Sequence, residues 1–145
     1  MKTLISFIIS FFIITNLFSQ IYSIEVNRVK MHIKKNNVNY EDVINYPDEI
    51  IDEVRTNTKH VLDITDSTCS FYYHGVHVNT VPIIKFENVN NVLHFVMEDY
   101  DVNGLTVHSN FIIDTINNNV FYHWFNKIQM VTKVEIKTDF KVSIN

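Results

Sequence analysis

From Ile128 to Ile144 the chain alternates between apolar and polar positions. Ile128, Met130, Thr132, Val134, Ile136, Thr138, Phe140, Val142 and Ile144 fall on one parity. Gln129, Val131, Lys133, Glu135, Lys137, Asp139, Lys141 and Ser143 fall on the other. A period of two is that of a strand, whose successive side chains point to opposite faces, and it would scatter the same residues all round a helix. Extended at about 3.3 Å per residue the run spans roughly 56 Å, several times an ordinary strand. The pattern therefore predicts a strand that curls or bends. A hidden hairpin turn is the alternative, although no Gly, Pro or Asn interrupts the run before its end.

Upstream the period changes. Pro47 suits a first helical turn, Asp48 and Glu49 suit the positive end of a helix dipole, and Asn45 or Tyr46 lies at the cap. Ile50, Ile51, Val54, Thr58, Val61 and Leu62 then recur at helical spacing, with Asp52, Glu53, Arg55, Asn57, Lys59 and Asp63 on the other face. This predicts an amphipathic helix over about 47–62. Val26 to Ile33 alternates loosely. After the turn residues Thr65-Asp66-Ser67-Thr68 the chain is rich in Val, Ile, Thr and aromatics, which suit a pleated surface. Candidate strands are Ser70–Val78, Val92–Asp99, Leu105–Ile116 and a long one from Val120, separated in part by Asn103-Gly104 and Asn117-Asn118-Asn119.

The expected fold class is α+β: a long curved antiparallel sheet with one amphipathic helix packed on its apolar face. A helix of about 16 residues spans only about 24 Å. Part of the long strand's apolar face must then be covered by another strand, a second protomer or a ligand, and the last strand would leave an open sheet edge.

Residues 1–19 read as a secretory signal peptide: Lys2, an apolar stretch from Leu4 to Ile14 broken only by Ser6 and Ser10, and a polar exit with Ser19 or Ser23 at the cleavage point. The apolar stretch is shorter than the roughly 20 residues a bilayer span needs, so a transmembrane anchor is not expected. What remains, about 24–145, is one small domain, expected to be secreted and extracellular.

Composition narrows the function classes. Two glycines cannot build a glycine-rich phosphate loop, a net charge of −4 gives no general attraction to nucleic acid, and the single Cys69 cannot close an internal disulfide. His74-x-x-His77 on a strand would point to opposite faces. Asp99-Tyr100-Asp101-Val102-Asn103-Gly104 imitates the start of a calcium loop, but the twelfth position is Asn110 rather than an acid. No catalytic residue, metal or cofactor is predicted. Phe121-Tyr122-His123-Trp124-Phe125 is the densest aromatic patch, a buried crossing point or an interaction surface.

Several segments taken together resemble the tubular lipid-binding superfamily. They are Pro82–Phe86, Val92–Tyr100, Asp101-Val102-Asn103-Gly104-Leu105, Phe111–Asp114 and the long alternating strand, preceded by the expected helix. The likeness is to the N-terminal part of arthropod juvenile-hormone-binding and takeout-like proteins and of group 7 mite allergens. It implies a secreted, non-catalytic protein that binds a hydrophobic small molecule, a lipid or terpenoid. The lining residues would be Leu93, Phe95, Met97, Phe111, Ile113, Ile128, Met130, Val134 and Ile136. The paired N-terminal cysteines usual in takeout-like proteins are absent, and members run to about twice this mature length. The other reading is a secreted interaction module, a homodimer or a partner of another protein, docking through the open edge or the aromatic patch without a ligand cavity.

Overall fold

A computed structural model describes residues 20–36, 39–101 and 103–145. The chain forms eight strands: β1 (Ile21–Lys35), β2 (Glu49–Asp63), β3 (Thr68–Tyr73), β4 (Val76–Val89), β5 (Val92–Tyr100), β6 (Thr106–Asp114), β7 (Asn119–Asn126) and β8 (Val131–Ile144). Each pairs antiparallel with the next. β8 also pairs with β1, from Tyr22 opposite Ile144 to Lys35 opposite Val131, which closes an up-and-down barrel. The connections are short. The β3–β4 turn is His74-Gly75 and the β4–β5 turn Asn90-Asn91, all four residues at positive φ as a two-residue hairpin requires. The 63–68, 89–92 and 114–119 turns and the C-terminus mark the lower end of the barrel. The 35–49 connection and the 73–76, 100–106 and 126–131 turns mark the upper end.

One irregularity crosses three adjacent strands at the same height. The β1–β2 register shifts between Val26 and Arg28, and the β1–β8 register shifts there and again before Val29. Asn27 on β1, Thr138 on β8 and the stretch around Asn57, whose φ is 59°, on β2 take up the extra residues. The Thr138 hydroxyl donates to the Arg28 carbonyl at 3.3 Å, and the Asn57 carbonyl accepts from the His74 N–H at 3.0 Å. A bulge changes which parity faces inward. Below it the interior residues are Tyr22, Ile24 and Val26, then Thr58, His60 and Leu62, then Phe140 and Val142. Above it the inward parity carries Val29 and Met31, then Ile51, the exposed Glu53 and Arg55, then Lys133, Glu135 and Lys137.

The lower half is packed solid. Tyr22, Leu62, Leu93, Phe95, Ile113 and Val120 are buried there; the Tyr22 and Phe95 rings meet edge-on at 5.7 Å and the Phe86 and Phe95 rings lie 4.7 Å apart. Outside the barrel a short helix, α1 (Tyr40–Asn45), starts where the Asn39 side chain accepts from the Glu41 N–H. It lies across β8 and β1, and Val43, Thr132 and Val134 are buried on this outer face. Tyr40 packs edge-on against Phe121 and His123.

These observations correct the expected fold. The molecule is a closed all-β barrel, not an α+β sheet with a long helix. Residues 49–63 are strand β2, and the helical spacing there is period two displaced by the Asn57 bulge, with Ile50, Ile51, Val54 and Val61 β-branched among its apolar positions. The run from Ile128 contains the alternative hairpin turn: Ile128–Met130 are turn residues, Met130 has φ 51°, and the Asn126 carboxamide oxygen accepts from the Ile128 and Gln129 N–H groups. The last strand has no open edge, because β1 covers it. The expected signal peptide over 1–19 lies outside the described residues. No helix of the described residues is long and apolar enough to cross a membrane.

Ile21–Ser23 pair with β2, Tyr22 and Ser23 also pair with β8, and Ile21 exchanges backbone hydrogen bonds with Asn145, so processing after Ser19 keeps the barrel whole whereas processing after Ser23 removes three ladder residues and the buried Tyr22 ring. For a chain cleaved at the leader expected from the sequence, intact-mass measurement should place Gln20 first. A chain begun at Ile24 should lose about 3 kcal/mol or more in urea unfolding, and equal midpoints would contradict the pairing.

Candidate functional site

The upper half of the barrel is not filled by apolar side chains. A cavity of about 210 Å³ opens there, lined by Arg55, His60, Cys69, Phe71, Asn79, Val81, Met97, Asp99, Ser109, Phe111, Tyr122 and Glu135. Every strand from β2 to β8 contributes, because each presents inward residues at this height. The floor is aromatic: the His60 ring lies 5.0 Å from Phe71 and 4.9 Å from Phe111, and Phe111 lies 5.0 Å from Tyr122.

One wall is charged. The Glu135 side chain is 5% exposed and binds three cations: Lys137 Nζ at 2.6 Å, both Arg55 terminal nitrogens at 3.2 Å, and Lys133 Nζ at 3.1 Å. The Lys137 side chain is 1% exposed and its ammonium sits over the Phe111 and Tyr122 rings at 5.8 and 5.6 Å. Arg55 also reaches Glu53 at 3.2 Å. Burial by itself would raise the Glu135 carboxyl, but the surrounding cations outweigh it and hold the group below the ordinary carboxylate range. Burial pulls the Lys137 ammonium below its ordinary value while Glu135 opposes the shift.

The neutral groups are shifted by burial. His60 is pushed down to about 3, with Lys137 adding to the effect, so its imidazole is uncharged at neutral pH, and Nε2 has no protein partner. The Cys69 thiol is pushed up to about 12 by burial and then by Asp99; the Tyr122 hydroxyl also reaches about 12 despite a hydrogen bond with Ser109. A reactive thiol needs the opposite shift. The arrangement offers shape, aromatic faces and fixed polar groups rather than an activated nucleophile.

Of the lining residues expected from the sequence, the structure brings Met97 and Phe111 into the cavity. Leu93, Phe95 and Ile113 are inside the barrel but belong to the packed lower half. Ile128 and Met130 are exposed turn residues. Val134 and Ile136 point outward, Val134 being buried on the outer face that α1 crosses and Ile136 lying beside Phe121. In the aromatic patch Tyr122 and Trp124 face inward, and Phe121, His123 and Phe125 face outward. Lys133, Glu135 and Lys137 lie on the polar parity of the 128–144 alternation and Arg55 on the polar face of the expected helix; the bulges turn them inward. His74 is a turn residue, and no group of three metal-ligating side chains occurs among the described residues.

A larger concavity of about 630 Å³ lies on the outer face of β1–β3, between Glu25, Asn27, Lys59, Tyr72 and His74. It holds no buried ionised group, whereas the interior cavity is bordered by buried Glu135, so the interior cavity is the candidate site.

No family model, curated protein or solved structure matches the chain. The helix that contributed to the resemblance with the tubular lipid-binding superfamily is a strand in this barrel.

Glu135→Leu leaves the Lys137 ammonium buried without its partner and should destabilise the protein by about 3–5 kcal/mol, whereas Glu135→Leu with Lys137→Met should recover most of the loss. Urea unfolding of the two variants checks this; a single variant as stable as the parent would contradict the buried pair.

Acid should weaken the fold in two stages. Between the ordinary histidine value of 6.5 and about 3 the unfolded chain takes up a proton that folded His60 refuses, so stability is complete above about pH 6.5 and falls as pH drops. His123, shifted down by burial, adds in the same direction. Below the ordinary carboxylate value of 4.5 the depressed Glu135 adds a second loss. His60→Leu should shrink the first stage to the His123 contribution and leave the second, as followed by urea midpoints against pH.

Proposed function

We propose that this chain is a secreted, non-catalytic binding protein that holds a compact, partly apolar small molecule in the upper half of its barrel. The observation that carries the reading is the Glu135–Lys137–Arg55 cluster beside an open cavity. An eight-stranded barrel is narrow enough for side chains to fill it, and the lower half is filled. Burying an ion pair adds little to stability compared with apolar packing of the same volume. A cluster of fixed charges over aromatic faces suits recognition: Phe71, Phe111 and Tyr122 take the apolar body of a ligand, and Arg55, Asn79, Asp99 and Ser109 orient its polar end.

The volume selects among ligands. Sites for drug-sized molecules run to about 300–1,000 Å³, and this one is about 210 Å³. A small aromatic compound or a small terpenoid fits that space; a long-chain lipid does not.

The second reading is a protein-interaction module. Its support is the upper rim, where Tyr46, Tyr73, Val76, Tyr100, Leu105, Ile128 and Met130 from four connections are all exposed.

Native mass spectrometry of the secreted protein, followed by organic extraction, separates the two. We expect a small-molecule adduct on the wild type and its loss in Val81→Phe, which fills the cavity. Wild type and Val81→Phe that both lack an adduct and both fail to bind a panel of small aromatics and terpenoids would overturn the carrier reading in favour of the rim.

A further inference from the structure

β2 has β1 beside it along almost its whole length, but β3 beside it only from Thr58 to Asp63. The β3–β4 hairpin turns back at His74-Gly75, next to Asn57. Among the described residues no strand lies against the other side of Glu49–Asn57. The barrel is therefore closed in its lower half and notched above, with a row of backbone donors and acceptors facing the notch. Such an edge is a template for another strand. On its outer face Ile50 is 58% and Val54 66% exposed.

We propose that a second copy of this chain pairs antiparallel with this edge about a two-fold axis through Val54. A two-fold antiparallel pair sets one residue opposite itself and its neighbours opposite each other in reverse order, with both members of each pair on the same face. Few centres are open to this segment. An axis at Ile50 sets Asp48 against Asp52, and one at Ile51 sets Glu49 against Glu53. Axes at Asp52, Glu53 or Arg55 set a charge against itself. An axis at Thr56 needs Thr58, which already pairs with Tyr73. An axis at Val54 sets Val54 against Val54, Asp52 against Thr56, and Glu53 against Arg55 on both sides of the axis. Opposite charges directly across a strand pair stabilise it and like charges oppose it. The internal bond of Asp52 to Arg28, at 2.7 Å, lies on the β1 side and is left intact. Arg55 belongs both to this edge and to the cavity wall, so the second copy borders the cavity mouth.

The test is sedimentation of the full secreted chain over a range of concentrations. The wild type should show a monomer–dimer equilibrium. Val54→Lys and Val54→Glu each place like charges across the axis and should each weaken the dimer by about tenfold or more. Because Val54 is mostly exposed, circular dichroism should match the parent, and thermal midpoints should match at concentrations where the parent is monomeric. Mixing the two variants should restore a dimer, now heterologous, which only an axis through position 54 explains. A wild type that stays monomeric at all concentrations, or a dimer indifferent to both substitutions, overturns the proposal. So does a monomer whose edge binds an added extended peptide, since another protein's strand would then be the occupant.

Discussion

The carboxylate of Glu135 is the group around which the upper barrel is organised. It is buried, ionised, and held by cations from β2 and from either side of it on β8. Removing Glu135 would leave the Lys137 ammonium as an uncompensated charge in a low-dielectric interior. That requirement fixes Arg55 across from β8 and keeps the Lys137 ammonium over the Phe111 and Tyr122 rings. It also leaves the space that apolar side chains occupy in the lower half. The cavity lies beside the charge cluster, and the proposed binding role rests on that adjacency.

The cluster in turn depends on the bulges at Asn27, Asn57 and Thr138. Each adds residues at one height, so the strand parity that is apolar and inward below becomes outward above. On β8 this brings Phe140 and Val142 into the lower core and Lys133, Glu135 and Lys137 into the upper lumen. The even residues Thr132 and Val134 then face outward, where α1 lies across the strand and buries them. One backbone irregularity therefore divides the molecule into a packed base and a polar, hollow upper half.

The sequence made part of this legible. The alternation of Leu93, Phe95 and Met97 and of Phe111 and Ile113 marks one face of each strand, and that face is buried in the barrel, because β5 and β6 run without a bulge between them. The strand character of residues 131–144 was equally plain. Its facing was not, since a bulge at Thr138 carries no Gly or Pro signal and an uninterrupted alternation reads as one continuous apolar face. The β2 segment failed for the same reason: the positive-φ Asn57 displaces the period, and Ile50, Ile51, Val54, Thr58 and Val61 then mimic helical spacing. Their β-branching was the signal that favoured a strand. The site residues Arg55, Glu135 and Lys137 were hidden with the bulges, because charged side chains are read as solvated until their facing is known.

The most direct measurement is a side-chain carboxyl titration of Glu135 by carbon-13 NMR. If the residue is buried among Arg55, Lys133 and Lys137, its carboxyl resonance should stay in the ionised position through the range where exposed carboxylates titrate and move only when the protein unfolds in acid. A Glu135 resonance that titrates at the ordinary carboxylate value in the folded protein would place the side chain in solvent, and the inward-facing charge cluster would be wrong.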